Sequence, residues 1–182
     1  MTMAKLLYSA TMSLDGFIAG PGGDMSWMTR LPETGPHETA DGLWKQVGSL
    51  LTGARTYGGD DPNAGTDQEG AFNGQWSGPE FVLTHNPPAT SPPGVTFVTD
   101  LPTAVDAALA AAGDLYACVL GADVAAQCLA AGLLDEILVF VAPVLLGDGT
   151  PLFRHPGGTF VALDEISSTT GPVPTIRLRV RR

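Results

Sequence analysis

Apolar and polar positions change rhythm several times along this chain, and each change marks an element. Lys5 to Ser13 is a run of apolar and small residues closed by Asp15-Gly16, the pattern of a buried strand that ends in a turn. Leu50 to Thr52, Phe81 to Thr84 and Thr96 to Val98 are shorter runs that predict three more strands. A run from Leu115 to Leu120 meets Gly121, and small helix formers follow from Ala122 to Ala131. Gly132 stops them ahead of a second apolar run, Ile137 to Leu146. Asp100 stands where an N-cap is needed for a helix over Leu101 to Ala112, with Gly113 beyond its end. Another helix is expected over Asp41 to Val47, weakened by Gly42. Phe160 to Leu163 and Thr175 to Arg181 predict two antiparallel strands. In the second, Arg177, Arg179 and Arg181 alternate with Ile176, Leu178 and Val180, the period of a half-buried strand.

Strands alternate with helices, so residues 1–182 are expected to form one α/β domain, a three-layer sandwich with a mixed central sheet. Gly58 to Pro79, rich in Gly, Asp, Asn and Gln, reads as a long loop or lid rather than core. Gly147-Asp148-Gly149 reads as a hairpin or bulge. Ligands of such sheets lie at the carboxyl ends of strands. That brings Gly53 to Thr56, Thr84 to Asn86 and Gly121 to Asp123 to one edge and predicts a dinucleotide groove there. A glycine between strand and helix exposes bare backbone, and the helix start behind it offers unpaired N–H groups to a phosphate. An ordinary G-x-G-x-x-G fingerprint is absent, because Gly20-Pro21-Gly22 is followed by Gly23-Asp24-Met25.

Composition narrows the function classes. Hydrophobic residues make up 44% and charged residues 15%, which suits a compact globular domain. A net charge of −10 argues against nucleic acid, whose phosphates need clustered Lys and Arg. No signal peptide opens the sequence and no run approaches the roughly 20 apolar residues of a membrane span, so a cytoplasmic protein with no membrane role is expected. Cys118 and Cys128 read as buried thiols rather than a disulfide. His37, His85 and His155 have no metal-ligand spacing, and no metal is expected.

Five segments then combine into a resemblance: SLDGFIAG (Ser13 to Gly20), DMSW (Asp24 to Trp27), LTGARTY (Leu51 to Tyr57), FVLTHNPP (Phe81 to Pro88) and the long run Gly132 to Phe153. In this order the chain resembles the dihydrofolate reductase superfamily, in the branch that includes the reductase domain of bifunctional riboflavin-biosynthesis deaminase-reductases. The resemblance implies a mixed sheet flanked by helices, NADPH extended across the sheet edge, and a homodimer. It assigns Ala10 and the loop from Ile18 to Trp27 to the nicotinamide, and Gly53, Arg55 and Thr56 to the cofactor loop. Thr84 and His85 match a polar pair near the adenosine ribose. Leu120, Gly121 and Ala122 match the turn under the pyrophosphate, where the family usually has two adjacent glycines; Asp123 and Val124 open the helix behind it. With only Arg55 and His85 to meet a 2′-phosphate, NADPH selectivity is expected to be modest.

Hydride transfer asks the protein mainly to position two rings, and reduction of a C=N also needs a proton at nitrogen. Folate-specific members of the superfamily use one carboxylate on the helix after the mobile loop. Asp41 is the match, contacting ring nitrogens of the substrate, with an N-cap role as the rival reading and Glu38 as the alternative acid. Asp15 is a second catalytic candidate, or else a turn residue holding its loop by an Asx-type bond. Trp27 is a substrate platform or a core anchor. Arg30, Lys45 and Arg154 are the candidate cations for a ribosyl phosphate. The expected function is a stand-alone NADPH-dependent reductase of a small pterin- or pyrimidine-like heterocycle, similar to 5-amino-6-(5-phosphoribosylamino)uracil reductase or dihydrofolate reductase. The alternative is a nucleotide-binding member of the fold without turnover.

Overall fold

The computed structural model describes residues 4–31, 42–158 and 160–182. Among the described residues there are ten strands: β1 (Lys5–Ser13), β2 (Phe17–Ala19), β3 (Val47–Gly53), β4 (Glu80–Leu83), β5 (Val95–Val98), β6 (Tyr116–Leu120), β7 (Glu136–Ala142), β8 (Thr150–Pro151), β9 (Leu163–Thr169) and β10 (Thr175–Val180). The α-helices that lie wholly within the described residues are α1 (Ala54–Tyr57), α2 (Leu101–Ala112) and α3 (Ala122–Ala130). Eight strands form one sheet in the order β5-β4-β3-β6-β1-β7-β10-β9, and β2 pairs with β8 in a small sheet of its own. From β5 to β7 every pairing is parallel; β10 runs antiparallel to both β7 and β9, so the sheet is mixed as expected.

The two faces of β1 show why the sequence folds this way. Leu6 and Tyr8 join Leu51, Val119 and Val139 in a core covered by α2 and α3. Leu7, one step out of phase, joins Leu50, Cys118 and Leu138 on the opposite face. Strands buried on both faces read as continuous apolar runs, which is how β1 and β7 appear in the sequence. Asp100 caps α2 as predicted, its side chain accepting from Thr103 N at 3.0 Å. Cys118 and Cys128 are buried free thiols, and burial pushes each up to about 12, which leaves them protonated and inert. Among the described residues no helix is long and apolar enough to cross a membrane.

Several boundaries differ from the sequence reading. Gly58 to Pro79 is irregular and outside the buried core as expected, yet half-buried residues in it pack against that core. Phe72 and Trp76 pack under the second face, and Trp76 Nε1 donates to Val47 O at 2.9 Å. The apolar run after Ile137 stops being strand at Ala142, because Pro143 has no N–H for a ladder, and Leu145 beyond it is exposed. The helix expected before β3 is present in its described part, α-helical at residues 42–43 and tightening to a 3₁₀ turn over Trp44–Gln46 before β3 begins at Val47; Asp41 lies outside the described residues. The strand expected at Phe160 to Leu163 begins instead at Leu163. An edge strand exposed along most of its length needs no apolar period to announce it.

Candidate functional site

The carboxyl ends of β1, β3 and β6 open on a groove of about 1580 Å³. That exceeds the roughly 300–1,000 Å³ of an ordinary small-molecule site, and suits a long ligand with a second compound beside it. One end is built by two helix starts. Arg55 and Thr56 leave β3 on α1, and Gly121 leads from β6 into α3; Arg55, Thr56 and Leu120 to Asp123 all line the groove. Gly121 has φ +99°, and a side chain there would collide with Thr56 Oγ1. The start of α3 has no side-chain cap, so its first N–H groups remain available. Arg55 pairs with Asp123 at 3.6 Å, and Asp123 also accepts from Gln127 Nε2 at 3.1 Å.

Other residues assigned to this end stand behind it or beside it. Gly53 faces Val124, where a Cβ would lie 3.1 Å from Val124 Cγ2, so this pair sets the spacing of β3 against α3 rather than lining the groove. Thr84 follows β4 on the same sheet edge and receives the Asn86 amide on its hydroxyl at 3.2 Å. His85 beside it is exposed, and neither residue enters the groove.

The other end is formed by Ala10 on β1, Ile18 on β2, Asp24, Met25 and Met28 on the loop after β2, and Phe140 on β7. Thr150, Pro151 and Arg154 close it from the side. That wall is pinned by the fully buried Tyr8, which donates to Leu152 O at 3.1 Å and meets Phe153 edge-on at 5.2 Å. Asp24 is held below the usual carboxylate range by hydrogen bonds from Ser26 and is ionised at neutral pH. Asp60, in the long loop, accepts from Met25 N at 3.1 Å and ties the two loops across the opening.

Asp15 does not line the groove. It accepts from Ser13 Oγ at 2.5 Å, Gly147 N at 2.7 Å and Leu146 N at 3.1 Å, a latch between the turn after β1 and the loop after β7. The Ser13 hydroxyl, and after it the two amides, hold its carboxyl below the usual range. Trp27 is buried at 6% exposure, as an anchor would be, with no partner for Nε1 among the described residues. Asp41 and Glu38 lie outside the described residues. Sequence reasoning missed Asp60, Phe72 and Trp44 as groove residues. The one available signal was the pair Phe72 and Trp76 inside an otherwise polar segment.

Comparison with known proteins adds the following. A family model described as the RibD C-terminal domain matches residues 4–173. No curated protein sequence matches the chain. A candidate riboflavin biosynthesis protein from Shewanella sp. PV-4 superposes with a TM-score of 0.75 at 22% identity, over 98% of this chain and 99% of that one. A diaminohydroxyphosphoribosylaminopyrimidine deaminase/5-amino-6-(5-phosphoribosylamino)uracil reductase from Thermotoga maritima superposes at 0.65 and 16% identity, over 98% of this chain and 57% of that one. A pyrimidine reductase-like protein from Corynebacterium diphtheriae gives 0.61 at 18% identity, over 98% and 92%. At these identities the structural likeness is one of fold.

Proposed function

The chain belongs to the RibD C-terminal domain family, and from that premise we propose that it is an NADPH-dependent reductase that transfers a hydride to a small pyrimidine- or pterin-like heterocycle. The reading rests on one observation: Arg55 and Thr56 meet the uncapped start of α3 on a groove that continues to Ala10 and Ile18. The donor set fits a dinucleotide. Backbone N–H groups at Gly121 to Asp123 suit a pyrophosphate, and Arg55 suits a further phosphate. Ala10 and Ile18 leave room for a flat ring against β1 and β2.

When bound, the cofactor supplies the hydride. The chain itself orients and shields. Met25, Met28 and Phe140 make the wall opposite the helix starts apolar, which excludes water from a stacked pair of rings. Asp24, ionised at neutral pH, is an acceptor for ring or amino N–H groups of a heterocycle. The Asp15 latch holds the loop that carries Asp148 and Gly149 to the groove.

Thermal unfolding with NADPH and, in parallel, NADH tests the reading. Saturation near 100 times the dissociation constant adds about 2.7 kcal/mol, or roughly 5–10 °C for a domain of this size. A shift with NADPH supports the assignment, and a screen of aminopyrimidines and pterins for cofactor oxidation follows. Binding without consumption by any of them would make the protein a nucleotide-binding member of the fold. No shift with either cofactor would remove the reading.

A further inference from the structure

We propose, resting on the groove as a reductase site, that the compound reduced there is a heterocycle without a phosphate ester, neutral or cationic rather than anionic. The chain has nine Lys and Arg residues, and their distribution is uneven. At the edge of the sheet away from the groove, Lys5 and Arg177 lie 2.8 and 2.9 Å from the buried carboxylate of Glu136. Arg182 pairs with Asp135 at 2.8 Å and Arg181 Nε donates to Asp164 at 2.7 Å, just beyond β10, which carries Arg179. Arg30 and Lys45 are exposed and do not enter the groove lining; the Lys45 ammonium lies 5.4 Å from the Trp44 ring.

Two guanidiniums remain in the groove, Arg55 and Arg154, against the carboxylates of Asp24, Asp60, Asp123 and Asp148. Arg55 is already paired with Asp123 at the start of α3, the stretch proposed to hold the cofactor's own phosphates. That leaves Arg154 among three carboxylates. Residues 58–79, the segment that brings Asp60 to the groove, contain no Lys or Arg.

A phosphate monoester is recognised by a fork of guanidinium donors, and a single arginine among carboxylates is the opposite of that. The same carboxylates match a heterocycle rich in N–H donors. Asp60 and Asp148 each engage one oxygen with a backbone amide, Met25 N at 3.1 Å and Gly149 N at 2.8 Å, and the other oxygen has no partner among the described residues.

The test is calorimetric titration of the full, cofactor-saturated chain with 5-amino-6-(ribosylamino)uracil and with its 5′-phosphate, at low and high salt. The riboside is expected to bind about tenfold or more tightly than the ester, and the ester's affinity should rise as salt screens the repulsion. Equal or tighter binding of the ester, with affinity falling as salt rises, overturns the proposal. So does failure of both compounds to bind the loaded protein. Failure of the reductase reading itself shows separately, as absence of any cofactor-induced thermal shift.

Discussion

The hydroxyl of Thr56 occupies the space that a side chain at Gly121 would need. The loops after β3 and β6 therefore meet at a residue that has to be glycine, once for this contact and again for its φ of +99°. This meeting brings α1 and α3 side by side at the groove.

Replacing Gly121 by alanine is expected to cost about 2–4 kcal/mol of stability, from left-handed backbone strain and from overpacking against Thr56. Urea unfolding measures it. Adding Thr56→Ala should recover the packing part and leave the backbone part. Full recovery would mean that the strain is absent.

Arg55→Ala should weaken NADPH about tenfold, the low end for a charge-assisted bond at an exposed site. NADH affinity should change much less. A fluorescence titration of both cofactors decides, and equal losses would take Arg55 away from the 2′-phosphate.

Because the folded pKa of Asp15 is depressed, its latch contributes fully above the ordinary carboxylate value near 4 and is lost as pH falls below that. The protection factors of the Leu146 and Gly147 amides, their exchange relative to the intrinsic rate at each pH, should therefore fall in acid. In Asp15→Ala they should be low already at pH 7. Protected amides in that variant would show that the loop needs no latch.

Burial pushes Glu136 upward, but the bonds from Lys5 and Arg177 outweigh it and hold the carboxyl below its usual range. Glu136→Gln is expected to cost about 2–3 kcal/mol at pH 7, below the full value for a buried pair because Lys5 is partly exposed. Since the folded pKa is the lower one, the gap from wild type should close as pH falls under about 4. Chemical denaturation at pH 7 and at about pH 2, well under the ordinary carboxylate value, provides the comparison; a gap of the same size at the lower pH would contradict the ion-pair account.

How much of this was legible depends on what each residue is asked to do. The limits of α2 are written locally, in the Asp100 cap and Gly113, and they read correctly from sequence. Gly121, at a strand–helix junction, was legible for the same reason. The pairing of β2 with β8 was not, because Phe17 meets Pro151 across more than a hundred residues and neither segment has a period of its own. Asp15 shows a third situation. Its place in a turn was evident, but its partners at Leu146 and Gly147 are a property of the tertiary fold. Thr84 and His85 reached the expected sheet edge, yet the groove runs past them, a matter of loop course that no local pattern encodes.

The reversed direction of β10 has a practical side. Its final residues run beside the start of β7, Arg179 opposite Glu136, whereas the groove opens where β1, β3 and β6 finish. A dye, affinity handle or sensor surface attached through Arg182 would thus hold the molecule from behind and leave its working side turned toward solution.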